Sequence, residues 1–228
     1  TRTGIIKVFK QMGAYVNIYP AENSGSEPYA DIEIKSSQLH GIVIEGSIIP
    51  TLIDELPVIC AVSCFAQGTT IIKDAAELKV KESDRIAVMC SELSKLGADI
   101  TETCDGMIIN GKKTLRPSKI NSYYDHRIAM TFAVLNAAIG GGINIKGTEC
   151  ADIPYPGFYN ELKKVCQKSY WTLYNAGQSY IITDLSFKLI KQKAKNTIYI
   201  KIHTVLYRVC MILDTVIYVC SSLRKRPL

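Results

Sequence analysis

The 228 residues are 47% hydrophobic and 21% charged, a balance that suits a globular chain of one large domain or two small ones. The net charge of +6 is unevenly spread: residues 167–228 hold ten Lys/Arg and two Asp/Glu, whereas the residues before them hold 17 and 19. The basic surplus therefore belongs to the tail, residues 1–166 are slightly acidic, and a nucleic-acid-binding body is excluded.

In chain order, the opening "TRTGIIKVFKQMGA" has no charged, apolar and cleavage regions in series, so no signal peptide is read there. It predicts an amphipathic helix that ends at Gly13 and leads into an alternating strand. "IPTLIDELPVICAVSCFAQG" predicts a helix from about Leu52 to Ala66, then Gly68 and a β-branched strand. "SDRIAVMCSELSKLGA" repeats the first pattern, with Ile86, Met89, Leu93 and Leu96 on one face and Gly97 as its stop. "ADITET" and "DGMIING" follow as two strands joined by an Asp-Gly turn. "DHRIAMTFAVLNAA" opens a third copy, followed by "IGGG", a strand at "INIKG" and a helix from about Pro156 to Val165.

The partial recurrence of helix, strand, helix, strand, strand predicts an α/β domain of repeated units, with either the helices or the sheets inside. The first copy opens directly on a helix that the second copy precedes with a strand and another helix, so the expectation is a fold incomplete at its N-terminus. Residues 167–228 continue no copy, and the predicted division is 1–166 and 167–228. The apolar stretch 205–223 has membrane-span length, but Arg208 and Asp214 would each cost about 2.5–3.5 kcal/mol near a bilayer centre. The reading is an added strand-rich segment or tail without selected structure.

Eight cysteines fall mostly inside apolar patterns, including Cys60, Cys64, Cys90, Cys210 and Cys220. They read as reduced core residues in a reducing compartment, not as a disulfide framework. Three scattered histidines and no second cysteine pair at zinc spacing argue against a metal site.

Chemistry concentrates at the helix starts. A helix N-terminus is a prepared anion site, and an arginine in its first turn opposes the helix dipole unless something anionic compensates. Asp84 and Asp125 can compensate as caps, leaving Arg85 and Arg127 on a solvated face; alternatively the two guanidiniums fork onto carboxylate or phosphate oxygens of a ligand. Glu82 beside such a ligand suits acid-base work, and otherwise pairs with Lys79 or Lys81.

The strings "LKVKESDRI", "LGADI", "DGMII", "DHRIAM" and "IPTLIDELPV", with "TRTGIIKVFKQMGA" before and "PYPGFYNELKKV" after, resemble in order the C-terminal half of EPSP synthases. The likeness covers about residues 1–166. It implies the enolpyruvyl transferase fold: repeated βαβαββ units forming an inside-out α/β barrel, of the α/β (α+β) class. It further implies transfer of the enolpyruvyl group of phosphoenolpyruvate to the 5-hydroxyl of shikimate 3-phosphate, in the cytoplasm or a plastid, with no cofactor. The partner it implies is an N-terminal domain lying upstream, without which the chain is expected to turn over little. By this resemblance Asp54 contacts and deprotonates the 5-hydroxyl, and Glu82 transfers protons at the methylene carbon. Lys81 lies between the substrates, Arg85 and Arg127 bind phosphoenolpyruvate, and Asp125 and His126 cap or orient Arg127. Asp54 as a helix cap remains an alternative. Ile153 and Pro154 stand where some members carry a lysine, a departure that bears on one phosphoenolpyruvate contact. Two rival readings are a UDP-N-acetylglucosamine enolpyruvyl transferase and a non-catalytic module with a membrane-associated tail.

Overall fold

The computed structural model describes residues 3–20, 30–35, 37–112 and 114–163, together with the strands at 179–183, 188–192 and 197–202. Helix α1 (Gly4–Gln11) leads to the antiparallel pair β1 (Tyr15–Pro20) and β2 (Ala30–Lys35). Then come β3 (Val43–Ile44), α2 (Leu56–Ser63), β4 (Thr69–Ile72), α3 (Arg85–Lys95), β5 (Asp99–Glu102) and β6 (Met107–Asn110). This run is one whole βαβαββ unit. Its four strands lie in the order β3-β4-β6-β5, with β3 and β4 parallel and β5 and β6 an antiparallel hairpin. A further unit follows with β7 (Lys119–Asn121), α4 (His126–Ala138) and β8 (Asn144–Lys146), where β7 and β8 pair in parallel around the helix, and residues 158–163 are helical.

The helices are inside, the alternative that periodicity left open. Every residue of α2 is buried, and α4 sends Ile128, Phe132, Leu135 and Ala138 into the main core. Its opposite side supplies Met130, Ala133 and Val134 to a second cluster with Ala151, Phe158 and Leu162. A helix buried on both sides carries little amphipathic signal, because there is no polar face to alternate with. In the β3–β6 sheet, β4 and β6 alternate, turning Thr70, Ile72, Met107 and Ile109 inward and leaving Thr69 and Asn110 outside.

Two boundaries differ from the sequence expectation. α2 starts at Leu56, not Leu52, because Leu52–Glu55 form a turn and Pro57, lacking an N–H, fits only the helix's first positions. It ends at Ser63 with Cys64 as its C-cap, three residues before Ala66. Gly13 and Gly97 have φ of 93° and 84°, the left-handed conformation that stops α1 and α3. Cys60, Cys64 and Cys150 are free and buried. Cys210, Cys220 and the apolar stretch 205–223 lie outside the described residues. Among the described residues no helix is long and apolar enough to cross a membrane. Strands β9 (Ser179–Thr183), β10 (Lys188–Gln192) and β11 (Thr197–Ile202) extend the first sheet in the order β1-β2-β11-β9-β10, with β11 antiparallel to β2.

Because Phe132 is wholly enclosed and α4 joins both clusters, Phe132→Ala is expected to cost about 3–5 kcal/mol. Urea unfolding followed by far-UV circular dichroism measures it.

Candidate active site

The N-termini of α3 and α4 meet side by side, and the residues that join them are those singled out at the helix starts. Asp84 caps α3 by accepting the Ala87 N–H at 3.0 Å. Asp125 caps α4 by accepting the Arg127 N–H at 2.9 Å. Asp125 is also fully buried and takes a side-on fork from Arg85: Nε donates to Oδ2 at 2.8 Å and Nη2 to Oδ1 at 3.3 Å. The Ser83 hydroxyl adds a bond to Oδ2 at 2.9 Å.

Arg85 is 1% exposed, so the solvated-face expectation is corrected for it. Its remaining edges meet two more carboxylates, with Nη2 donating to Glu82 Oε2 at 2.6 Å and Nη1 to Asp54 Oδ1 at 3.3 Å. Burial disfavours its charge, but the bonds and charge of Asp125, helped by Glu82 and Asp54, outweigh burial and hold its pKa above the ordinary arginine value. Asp54 is shared: its Oδ2 accepts from Arg127 Nη2 at 3.5 Å. It does not cap α2, whose N-cap is Glu55 with no side-chain cap bond. The reason is geometric, since the turn before α2 aims Asp54 across to the two arginines instead of back onto its own helix.

Glu82 is about half exposed and reaches a second group, with His126 Nδ1 3.8 Å from Oε1. The expected local pairing of Glu82 with Lys79 or Lys81 is corrected: Lys79 binds Glu102, and Lys81 binds Glu77. Lys81 is thus turned along its own 3-10 turn, Ala76–Val80, and its ammonium is held by Glu77. Burial, then the neighbouring Arg127 charge, pushes the His126 pKa below the ordinary histidine value. The result is two guanidiniums and three carboxylates on adjoining helix starts, with an imidazole beside them. Such a cluster can receive an anion by exchanging the 3.5 Å Asp54–Arg127 contact for ligand oxygens, while Glu82 and His126 stand ready to move a proton.

Sequence reading did not single out Ser83 or the turn that delivers Asp125. Tyr123 and Tyr124 both have left-handed backbones, φ 53° and 58°, a conformation that costs a non-glycine residue about 1–3 kcal/mol. No sequence signal marks it, since tyrosine is not a left-handed residue by preference. Arg2, the arginine of the first helix start, lies outside the described residues. Among the described residues no group of three or more His, Cys, Asp or Glu side chains could hold a metal.

A family model for EPSP synthase (3-phosphoshikimate 1-carboxyvinyltransferase) matches residues 1–162. The chain belongs to the EPSP synthase family. It is 48% identical over 165 residues to a 3-phosphoshikimate 1-carboxyvinyltransferase of Desulforudis audaxviator, a match covering 72% of this chain and 38% of that one. The Bacillus subtilis relative of the same name is 48% identical over 170 residues, covering 74% of this chain and 40% of that one. Among solved structures, an EPSP synthase from Acinetobacter baumannii aligns with a TM-score of 0.67 at 41% identity, covering 72% of this chain and 38% of that one. The chain therefore spans well under half the length of these relatives. Their shared name does not favour the UDP-N-acetylglucosamine reading.

Asp125→Ala is expected to cost about 3–5 kcal/mol, since it removes the buried two-point partner of Arg85, leaving the Nε–H without its acceptor, and removes the α4 cap. Asp125→Asn keeps the cap and is expected to cost less; chemical denaturation orders the two. His126 generates a pH dependence of known sign. Its folded pKa is depressed, so its share of stability is full above the unfolded value of about 6.5 and is lost as pH falls through the folded value. Unfolding free energies between pH 7.5 and pH 5, roughly the window around that value, are expected to fall more steeply in the unmodified chain than in His126→Gln.

Proposed function

We propose that the chain supplies the phosphoenolpyruvate-binding and proton-transfer wall of a 3-phosphoshikimate 1-carboxyvinyltransferase. The observation that carries this reading is the pair of guanidiniums, Arg85 and Arg127, sharing the Asp54 carboxylate at adjoining helix N-termini with Glu82 alongside. A planar carboxylate and a phosphate both suit guanidinium forks, and helix N-termini favour the same charge.

In the proposed reaction the 5-hydroxyl oxygen of shikimate 3-phosphate bonds to C2 of phosphoenolpyruvate while C3 gains a proton. Asp54 accepts the hydroxyl proton, and Glu82 delivers the proton to C3. The tetrahedral adduct then loses a C3 proton to Glu82 as the C2–O bond to phosphate breaks, giving 5-enolpyruvylshikimate 3-phosphate and phosphate. Arg85 and Arg127 hold the phosphoenolpyruvate anion, and Lys81 leaves Glu77 to lie between the substrates. Asp125 fixes Arg85 and the start of α4, while His126 sits behind Glu82 and can adjust its proton.

The relatives' greater length supports a site shared with a second domain, in which both substrates are oriented and water is excluded. The compartment proposed is the cytoplasm or a plastid. Product formation from both substrates, assayed with this chain alone and with the chain mixed with the N-terminal half of a full-length relative, tests the proposal. The expected outcome is little turnover alone, turnover in the mixture, and loss of about 100-fold or more when the mixture carries Glu82→Ala. A folded mixture that makes no product would overturn the reading.

A further inference from the structure

The turn before α4 is strained, delivers three site residues, and is tied at one end to a group outside the site. Residues Asn121 to Tyr124 end β7, pass through two successive left-handed tyrosines, and place Asp125, His126 and Arg127. Local bonds close the turn on itself: Tyr123 N–H donates to Asn121 Oδ1 at 3.0 Å, Tyr124 N–H to Ser122 Oγ at 3.1 Å, and Asp125 N–H to the Ser122 carbonyl at 3.0 Å. Ser122 is anchored toward β8, with its N–H on the Lys146 carbonyl at 3.0 Å and its hydroxyl on the Gly147 carbonyl at 2.9 Å. The anchor on the other side is Glu92.

Glu92 lies two turns into α3, facing away from solvent with none of its surface exposed. Its Oε2 accepts the Asn121 N–H at 3.0 Å, and its Oε1 lies 3.5 Å from the Tyr123 hydroxyl, a long contact. Lys95 neutralises it, donating to both oxygens at 2.7 and 2.8 Å. A lysine pair three residues apart on a helix needs no buried carboxylate; an exposed glutamate would serve it equally. Burying the carboxylate is costly unless its lone pairs are used, and the use made here is the backbone of the turn. α3 thus carries Arg85 at its first position and Glu92 two turns later. One rigid helix then holds both the guanidinium that grips Asp125 and the carboxylate that fixes the turn leading to Asp125.

We propose that Glu92 is a positioning residue: by holding Asn121 and the Tyr123–Tyr124 turn, it sets the register of the α4 N-terminus against α3, and so the placement of Asp125, His126 and Arg127. It touches neither substrate nor the reacting atoms. The part of this that concerns phosphoenolpyruvate rests on the function proposed above; the part that concerns the geometry does not.

The test uses the full chain and two readouts. The first is the titration of the His126 imidazole by NMR, assigned with His126→Gln among the three histidines, which needs no ligand. The second is phosphoenolpyruvate binding by calorimetry. Glu92→Met keeps the side-chain length and fills the space but offers the Asn121 N–H no oxygen acceptor; Glu92→Gln keeps one. In the Met variant the His126 titration is expected to rise toward the ordinary value of about 6.5 as the helix start opens to water, and the dissociation constant to weaken by about tenfold. Glu92→Gln is expected to restore most of both.

A folded Glu92→Met chain with an unmoved His126 titration overturns the proposal. Should that variant not fold, amide exchange in the unmodified chain decides: an Asn121 N–H that exchanges as freely as an exposed amide overturns it, and a protected one supports it. An unmodified chain that fails to bind phosphoenolpyruvate while the Glu92 variants still shift His126 would count against the proposed function and leave the positioning role supported.

Discussion

The fork from Arg85 onto the buried Asp125 carboxylate is the constraint around which the site is built. Two helix N-termini side by side repel, since each carries about half a positive charge, and the arginine in α3's first turn adds a further cation. Asp84 caps α3, and Asp125 answers the other two at once, capping α4 through the Arg127 N–H and bonding the Arg85 guanidinium through both oxygens. Such a pair is not a cheap source of stability, because both ions leave water. Its effect is to fix where two helices start, and the site residues are those within reach of that junction.

The arrangement follows from the layering. With the helices inside and the sheets outside, α2 packs against both α3 and α4, and the turn entering α2 brings Asp54 to the same junction as Arg85 and Arg127. Three segments separated by about thirty to forty residues then contribute to one cluster. Only charged groups that satisfy one another could occupy such a place, and they do so in pairs that a bound anion can partly replace: Asp54 on Arg127 at 3.5 Å and Glu82 on its exposed side. The bonds to the buried Asp125 belong to the framework, and those to the more exposed Asp54 and Glu82 belong to the part that exchanges.

Much of this was legible from residues 83–97 and 125–139. Asp84 and Asp125 read as caps from their place before apolar runs, and Gly97 as a stop. These are local properties, set by the backbone groups within one turn. The motif order carried the family as well, because five short strings at consistent spacing are specific where one is not. The α2 boundary was less legible: Asp54 and Glu55 interrupt the apolar run, Glu55 makes no side-chain cap bond, and only the geometry of Pro57 and the preceding turn set the start at Leu56.

What the sequence determined by itself was the helices and the strands that follow them, their partial repeat, the helix caps and the identity of the charged residues at each helix start. What only the tertiary structure decided was partnership. Glu82 chose Arg85 and His126 over the nearer lysines, Asp54 chose two arginines over its own helix, and Glu92 reached the turn before α4. Helix periodicity says which face a residue occupies but not which helix lies opposite, and a charge that is solvated in the unfolded chain acquires a particular partner only when packing removes the water around it.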